Sequence, residues 1–176
     1  MLAGEYAVLH GRPSLVMAVD RHAVVRALDA NETERPTPPE VTAALTLAHT
    51  LGLVEAPFGV DLDVSALHGA GSLKLGLGSS AAACVAALGL AWLRAGRSLD
   101  AGRAEIARVA RRGHRVAQGG GSGVDVLASA LPAFDGEAIA AIVAARRERP
   151  YATIQDFRSR AARGTTVPDT TDLNVG

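Results

Sequence analysis

What this 176-residue chain lacks narrows its class before any motif is read. It has one cysteine, Cys84, so no disulfide can form within it, and a small bridge-stapled secreted fold is excluded. Aromatic residues make up only 3%, so a core has to be built from Ala, Val and Leu, which a hydrophobic content of 48% supplies. There is no 18-residue apolar run and no secretory leader, which makes a cytoplasmic protein the default expectation. Excess charge is missing too. Lys and Arg together number 18, as do Asp and Glu, and this balance argues against a nucleic-acid surface or strong attraction to anionic lipid. Lysine is nearly absent: Lys74 is the only one, against 17 arginines, and it stands just before the most unusual stretch of the chain.

That stretch runs from Gly71 to Ala83 and contains Lys74, Leu75, Gly76, Leu77, Gly78, Ser79, Ser80 and Ala81. Glycines at 76 and 78 permit backbone angles that a β-carbon forbids and leave the main chain open to close approach. Ser79 and Ser80 lie where an alanine-rich helix begins, so its free N–H groups and positive dipole end point at the turn. Such a turn suits an anion, and with glycines before it a phosphate. Two serines before alanines also fit an ordinary N-cap. The string matches neither the Walker pattern nor the dinucleotide Gly-x-Gly-x-x-Gly.

The remainder is read in order. Gly11, Arg12 and Pro13 form a turn between apolar runs, and 23–28 reads as a strand. The polar, proline-rich 31–40 is a surface loop. Val41, Ala44, Leu45 and Ala48 recur at a helical period, with Gly52 as the stop. Val60, Leu62 and Val64 alternate with Asp61 and Asp63, which predicts a half-buried strand over 58–64. The span 80–96 predicts a nearly all-apolar helix with Cys84 and Trp92 in the core. A second helix is expected over 99–113, capped by Ser98, with Arg108, Arg111 and Arg112 near its end on a solvated face. His114 to Ser129 then carries Gly119, Gly120, Gly121, Ser122 and Gly123, a tight loop that delivers Asp125 to the start of another helix. A carboxylate there is ordinarily a cap.

Taken together, the string from Lys74 to Ala82 resembles the nucleotide loop of the GHMP kinases, in the form of their mevalonate and phosphomevalonate branch. Gly4-Glu5-Tyr6 followed by Gly11 and Pro13 resembles that family's first motif. Gln118 to Val126 resembles its acidic motif. The resemblance implies ATP and Mg²⁺ as cofactors. It implies that Lys74, Gly76, Leu77, Gly78, Ser79, Ser80 and Ala81 hold the triphosphate, with Ser80 also a metal ligand. Glu5, Tyr6, Ser122 and Gly123 would line the site of a small-molecule phosphoacceptor, and Asp125 would be the catalytic residue that orients or deprotonates its hydroxyl. The implied fold is α+β, of the ribosomal protein S5 domain 2 type, with a mixed sheet and helices on one face. Two departures stand out. The lysine that family members carry before the Gly-Glu pair is absent. The position eleven before Asp125, a magnesium-binding glutamate in the mevalonate branch, is His114; phosphomevalonate-type members carry histidine in this region.

The last 46 residues, 131–176, do not resemble the second domain that follows this motif in the kinase family. They read as two helices, with Ile139, Ile142 and Val143 able to meet Tyr151, Ile154 and Phe157, a helical hairpin. This tail resembles the helix-hairpin-helix-like segment of type II secretion minor pseudopilins of the K type. It lacks the glycine hairpin that binds DNA backbone, so no nucleic-acid partner is expected. The sequence thus predicts a partial kinase N-terminal domain over 1–130 and an appended hairpin, with self-association through open sheet edges. Two readings follow. One is a small-molecule kinase of low or no activity. The other is a non-enzymatic fusion whose tail is a protein-interaction module.

Overall fold

The computed structural model describes residues 10, 16, 19–29, 32, 36–73 and 75–130, and the elements named below all lie in one unit, Ala18–Leu131. In chain order they are β1 (Val24–Ala27), α1 (Pro39–Thr50), β2 (Val60–Asp63), α2 (Ser79–Arg94), α3 (Leu99–Gln118) and α4 (Val124–Ala130). The N-terminal turn at Gly11–Pro13 and the helical hairpin expected over 131–176 lie outside the described residues.

The core is made of small and branched side chains, as the scarcity of aromatics requires. α1 buries Val41, Ala44, Leu45 and Ala48, the four residues that set its period. Pro39 starts it, and Gly52 at φ +67° ends it. Gly52 N–H donates to His49 C=O and Leu53 N–H to Ala48 C=O, the paired bonds of a Schellman turn. α2 is the central element, buried at Ala81, Ala83, Cys84, Ala87, Leu88, Ala91 and Trp92 and packed against α1, α3, α4 and β1. Leu88 is 1% exposed; truncating such a residue to Ala costs about 2–5 kcal/mol.

β1 and β2 pair antiparallel, with Arg26 opposite Asp61 and Val25 opposite Leu62. Val25 and Leu62 pack toward the helices, while Arg26 lies on the outer face. There Arg26 ion-pairs with Asp61 at 2.9 Å and Glu32 at 2.7 Å, and its hydrogen bonds hold the Glu32 carboxyl down at about 2. The architecture is therefore α+β with helices on one face. Among the described residues the sheet has two antiparallel strands; the further strand expected before β1, in the N-terminal run that flanks Gly11–Pro13, lies outside the described residues.

One correction concerns α3. Its expected end at Gly113 is five residues short of the observed end at Gln118. Gly113 does not stop the helix. A Cβ there would lie 2.5 Å from the Cα of Ala44, so the missing side chain lets α3 approach the backbone of α1. The real stop is Gly119, at φ +71°. Arg108, Arg111 and Arg112 therefore sit mid-helix. Ser98 caps the other end as expected, its hydroxyl accepting from Ala101 N–H at 3.5 Å.

Candidate functional site

Three elements converge on the turn before α2. Gly76 and Gly78 adopt φ +70° and +73°, the left-handed region that L side chains rarely enter. Gly78 is the N-cap residue of α2, and no side chain caps that end. The N–H groups of the first turn are thus left to whatever lies in front of it. Ala81, 0% exposed, anchors the turn to the core. Leu77, Ser79 and Ser80 are half-buried around it, and Gly76 is exposed. A Cβ on Gly76 would meet nothing within 4 Å, so the space beside it is open.

Asp125 comes to the same turn from the second glycine loop. A Cβ on Gly78 would lie 3.3 Å from Asp125 Cβ and 3.8 Å from its Oδ2. The two sequence motifs, almost fifty residues apart, are therefore neighbours. Gly123 C=O accepts Leu127 N–H at 3.2 Å, which makes Gly123 and not Asp125 the residue preceding α4. Asp125 Oδ1 accepts from Val126 N–H at 3.0 Å, and Oδ2 has no hydrogen bond among the described residues. One oxygen thus secures the first turn of α4, and the other borders Gly78. Ser122 Oγ accepts from Val124 N–H at 3.5 Å. Gly123 lies under Arg111, whose Cγ would be 2.6 Å from an added Cβ.

Sequence reasoning did not reveal how Ser80 is held. Because α3 runs on to Gln118, its last turns reach across to α2. His114 Nε2 lies 3.0 Å from Ser80 Oγ, and Gln118 Nε2 donates to the same oxygen at 3.3 Å. The available signal was the four-residue spacing of His114 and Gln118, which puts both on one helix face. Below them, burial pushes the Cys84 thiol up to about 12, with Glu40 and Asp125 adding to the shift. That cysteine is a packing residue and not a nucleophile. Glu5, Tyr6 and Lys74 lie outside the described residues.

A family model for the GHMP kinases N terminal domain matches residues 41–132, more than half of the chain. The chain belongs to the GHMP kinases. It is 28% identical over 161 residues to a mevalonate kinase of Pyrococcus horikoshii, an alignment that takes in 76% of this chain and 47% of that one. The chain spans about half the length of the curated relative it matches. No solved structure matches it. The matched span holds both glycine turns, Ser80, His114 and Asp125, so the convergence lies within the region that defines the GHMP membership.

The arrangement bears on the family's magnesium nucleotide. Among the described residues, no three His, Cys, Asp or Glu side chains cluster as metal ligands. Two oxygen donors, Ser80 Oγ and Asp125 Oδ2, flank the turn. Mg²⁺ demands oxygen and commonly keeps only one or two protein ligands beside substrate phosphates. The residues therefore fit a metal ion carried on a polyphosphate. Among the described residues, no helix is long and apolar enough to cross a membrane.

Proposed function

We propose that the chain forms the nucleotide half of an ATP-dependent small-molecule kinase, transferring a phosphoryl group to a hydroxyl or phosphate of a mevalonate-like acceptor. The observation that carries this reading is the contact between the left-handed Gly78 turn, at the uncapped start of α2, and Asp125. A helix start that no side chain caps and a carboxylate whose Oδ2 has no hydrogen bond among the described residues are side by side, which suits phosphoryl transfer between a polyphosphate and an alcohol. The similarity to the Pyrococcus mevalonate kinase supports the acceptor class.

When bound, ATP supplies the phosphoryl group, and its Mg²⁺ offsets the negative charge of the phosphates. The chain's own part is positioning. Backbone N–H groups at the start of α2 bind phosphate oxygens, and Gly76 and Gly78 keep the main chain bare so that these can come close. Ser80 offers its hydroxyl oxygen to the divalent ion. Asp125 Oδ2 receives the proton of the acceptor hydroxyl or orients that hydroxyl for attack. Lys74, Glu5, Tyr6, Ser122 and Gly123 complete the nucleotide and acceptor surfaces in this reading, with residues 1–130 as the kinase part and 131–176 as an appended module.

Calorimetric titration with Mg-ATP tests the reading. Binding in the micromolar to low millimolar range is expected, and it should be competed by ADP and not by adenosine. An absence of heat at millimolar nucleotide, with the chain folded by circular dichroism, would sink it.

A further inference from the structure

Two side chains from one face of α3 grip Ser80, and neither is needed for a serine in the first turn of a helix to exist. Such a hydroxyl ordinarily turns toward solvent or bonds locally to backbone. Here His114, only 6% exposed, sets its Nε2 3.0 Å from Ser80 Oγ. Gln118 adds a donor at 3.3 Å. The hydroxyl has one proton to give and two lone pairs to fill. Gln118 occupies one lone pair, so the direction of the His114 bond decides what remains.

We propose that His114 is a positioning residue that accepts the Ser80 proton at Nε2, leaving Ser80 one free lone pair for the divalent cation that accompanies the nucleotide phosphates. This rests on the kinase reading above and deepens it, because it divides the labour around the cation. Ser80 is the ligand. His114 has its nitrogen engaged with the serine and contributes no ligand of its own. Gln118 fixes the remaining rotation of the hydroxyl. With a single oriented oxygen the site needs no cluster of acids, in keeping with the lack of a three-residue ligand group among the described residues. The opposite arrangement, Nε2–H donating to Ser80, would fill both lone pairs and turn the serine proton outward. That hydroxyl could serve a phosphate oxygen but not a metal ion.

The two arrangements are separated by titrating the full chain with ATP, once with Mg²⁺ and once with EDTA. The wild type should prefer the magnesium complex. His114→Leu, which keeps an apolar volume, and Ser80→Ala should each lose about ten-fold of that preference, the scale seen when a partner of a metal ligand is removed. In His114→Leu, affinity for metal-free ATP should not change. The double variant should be no worse than either single one. His114→Gln, whose amide oxygen can accept the same proton, should recover most of the preference. At the exposed position 118, Gln118→Ala should give a smaller loss of the same kind. Imidazole ¹⁵N correlations should show His114 carrying its proton on Nδ1. Equal weakening of ATP with and without Mg²⁺, additive losses, or an Nε2–H tautomer would each overturn this proposal and leave the kinase reading standing. A wild type that binds no nucleotide under either condition would overturn both. Should His114→Leu fail to fold, Gln118→Ala and the tautomer decide.

Discussion

The two glycine turns, 76–78 and 119–123, are alike in composition and differ in what their last glycine faces. Gly78 is pressed against the Asp125 side chain, so its bareness keeps two pieces of chemistry in contact. Gly123 is pressed against the stem of Arg111, so its bareness lets a long flexible side chain lie over the loop. The first turn ends at the uncapped start of the 16-residue, core-buried α2. The second ends at the 7-residue α4. In the proposed kinase the long buried helix stands behind the phosphate-binding turn, and the short one carries the Asp125 carboxylate.

Valine substitution should break this comparison most forcefully. At Gly78 it meets a left-handed backbone and the Asp125 side chain together, and nucleotide binding should be lost in calorimetry while helix content by circular dichroism persists. At Gly123 valine must also displace the Arg111 side chain from its Cγ outward, so a stability loss beyond the about 1–2 kcal/mol of backbone strain is expected, with nucleotide affinity kept. Equal loss of binding in the two variants would show that the turns are not distinct in role. Next in size is Asp125→Asn. It preserves the bond to Val126 N–H and removes the proton acceptor, so phosphoryl transfer to a mevalonate-like alcohol should fall by about two orders of magnitude while ATP affinity stays level. Full activity in Asp125→Asn would reduce this residue to a helix-start partner.

The parts legible in sequence were those governed by local periodicity or turn chemistry. Val41, Ala44, Leu45 and Ala48 announced α1, Gly52 announced its end, and the alanine run announced a buried α2. Gly113 misleads because a glycine in a helical pattern signals either a stop or a close helix crossing, and only the position of Ala44 distinguishes them. That one ambiguity hid the last turns of α3, and with them the grip of His114 and Gln118 on Ser80. Contacts between residues 34 and 38 positions apart leave no local trace. The Gly78–Asp125 contact is of the same kind; what pointed to it was family resemblance and not periodicity.

A smaller effect sharpens the view that the first turn stands on a rigid base. Cys84 lies one turn into α2, with its thiol held neutral by burial, from 9.0 up to about 12. A thiol reagent at pH 8 should therefore react only as fast as the chain unfolds. The unfolded thiol ionises from about pH 9 and the folded one does not until about pH 12. This group's contribution to stability is thus fully present below pH 9 and declines as the pH rises to 12, by at most about 1.4 kcal/mol per unit. Cys84→Ala should flatten that alkaline slope in denaturant titrations. Rapid native-state labelling at pH 8 would mean that the base of the turn opens readily.

The smallest effect lies within the second turn and tests whether its glycines are individually required. Gly119 and Gly120 are adjacent, and a Cβ on either would meet nothing within 4 Å, so steric contact cannot tell them apart. Backbone geometry can. Gly119 is the left-handed C-cap of α3 at φ +71°, whereas Gly120 is not among the positive-φ glycines. Gly119→Ala therefore forces a β-carbon into the left-handed region and should destabilise the fold by about 1 kcal/mol. Gly120→Ala keeps an ordinary conformation while restricting the unfolded chain, and should stabilise by about 0.4–1 kcal/mol. Opposite shifts in the urea midpoint at unchanged m-value are the expected result. Destabilisation by both would mean that the loop needs its second glycine for approach of another group. The neighbour to examine would then be the acceptor surface proposed at Ser122, by repeating the titration with acceptor present.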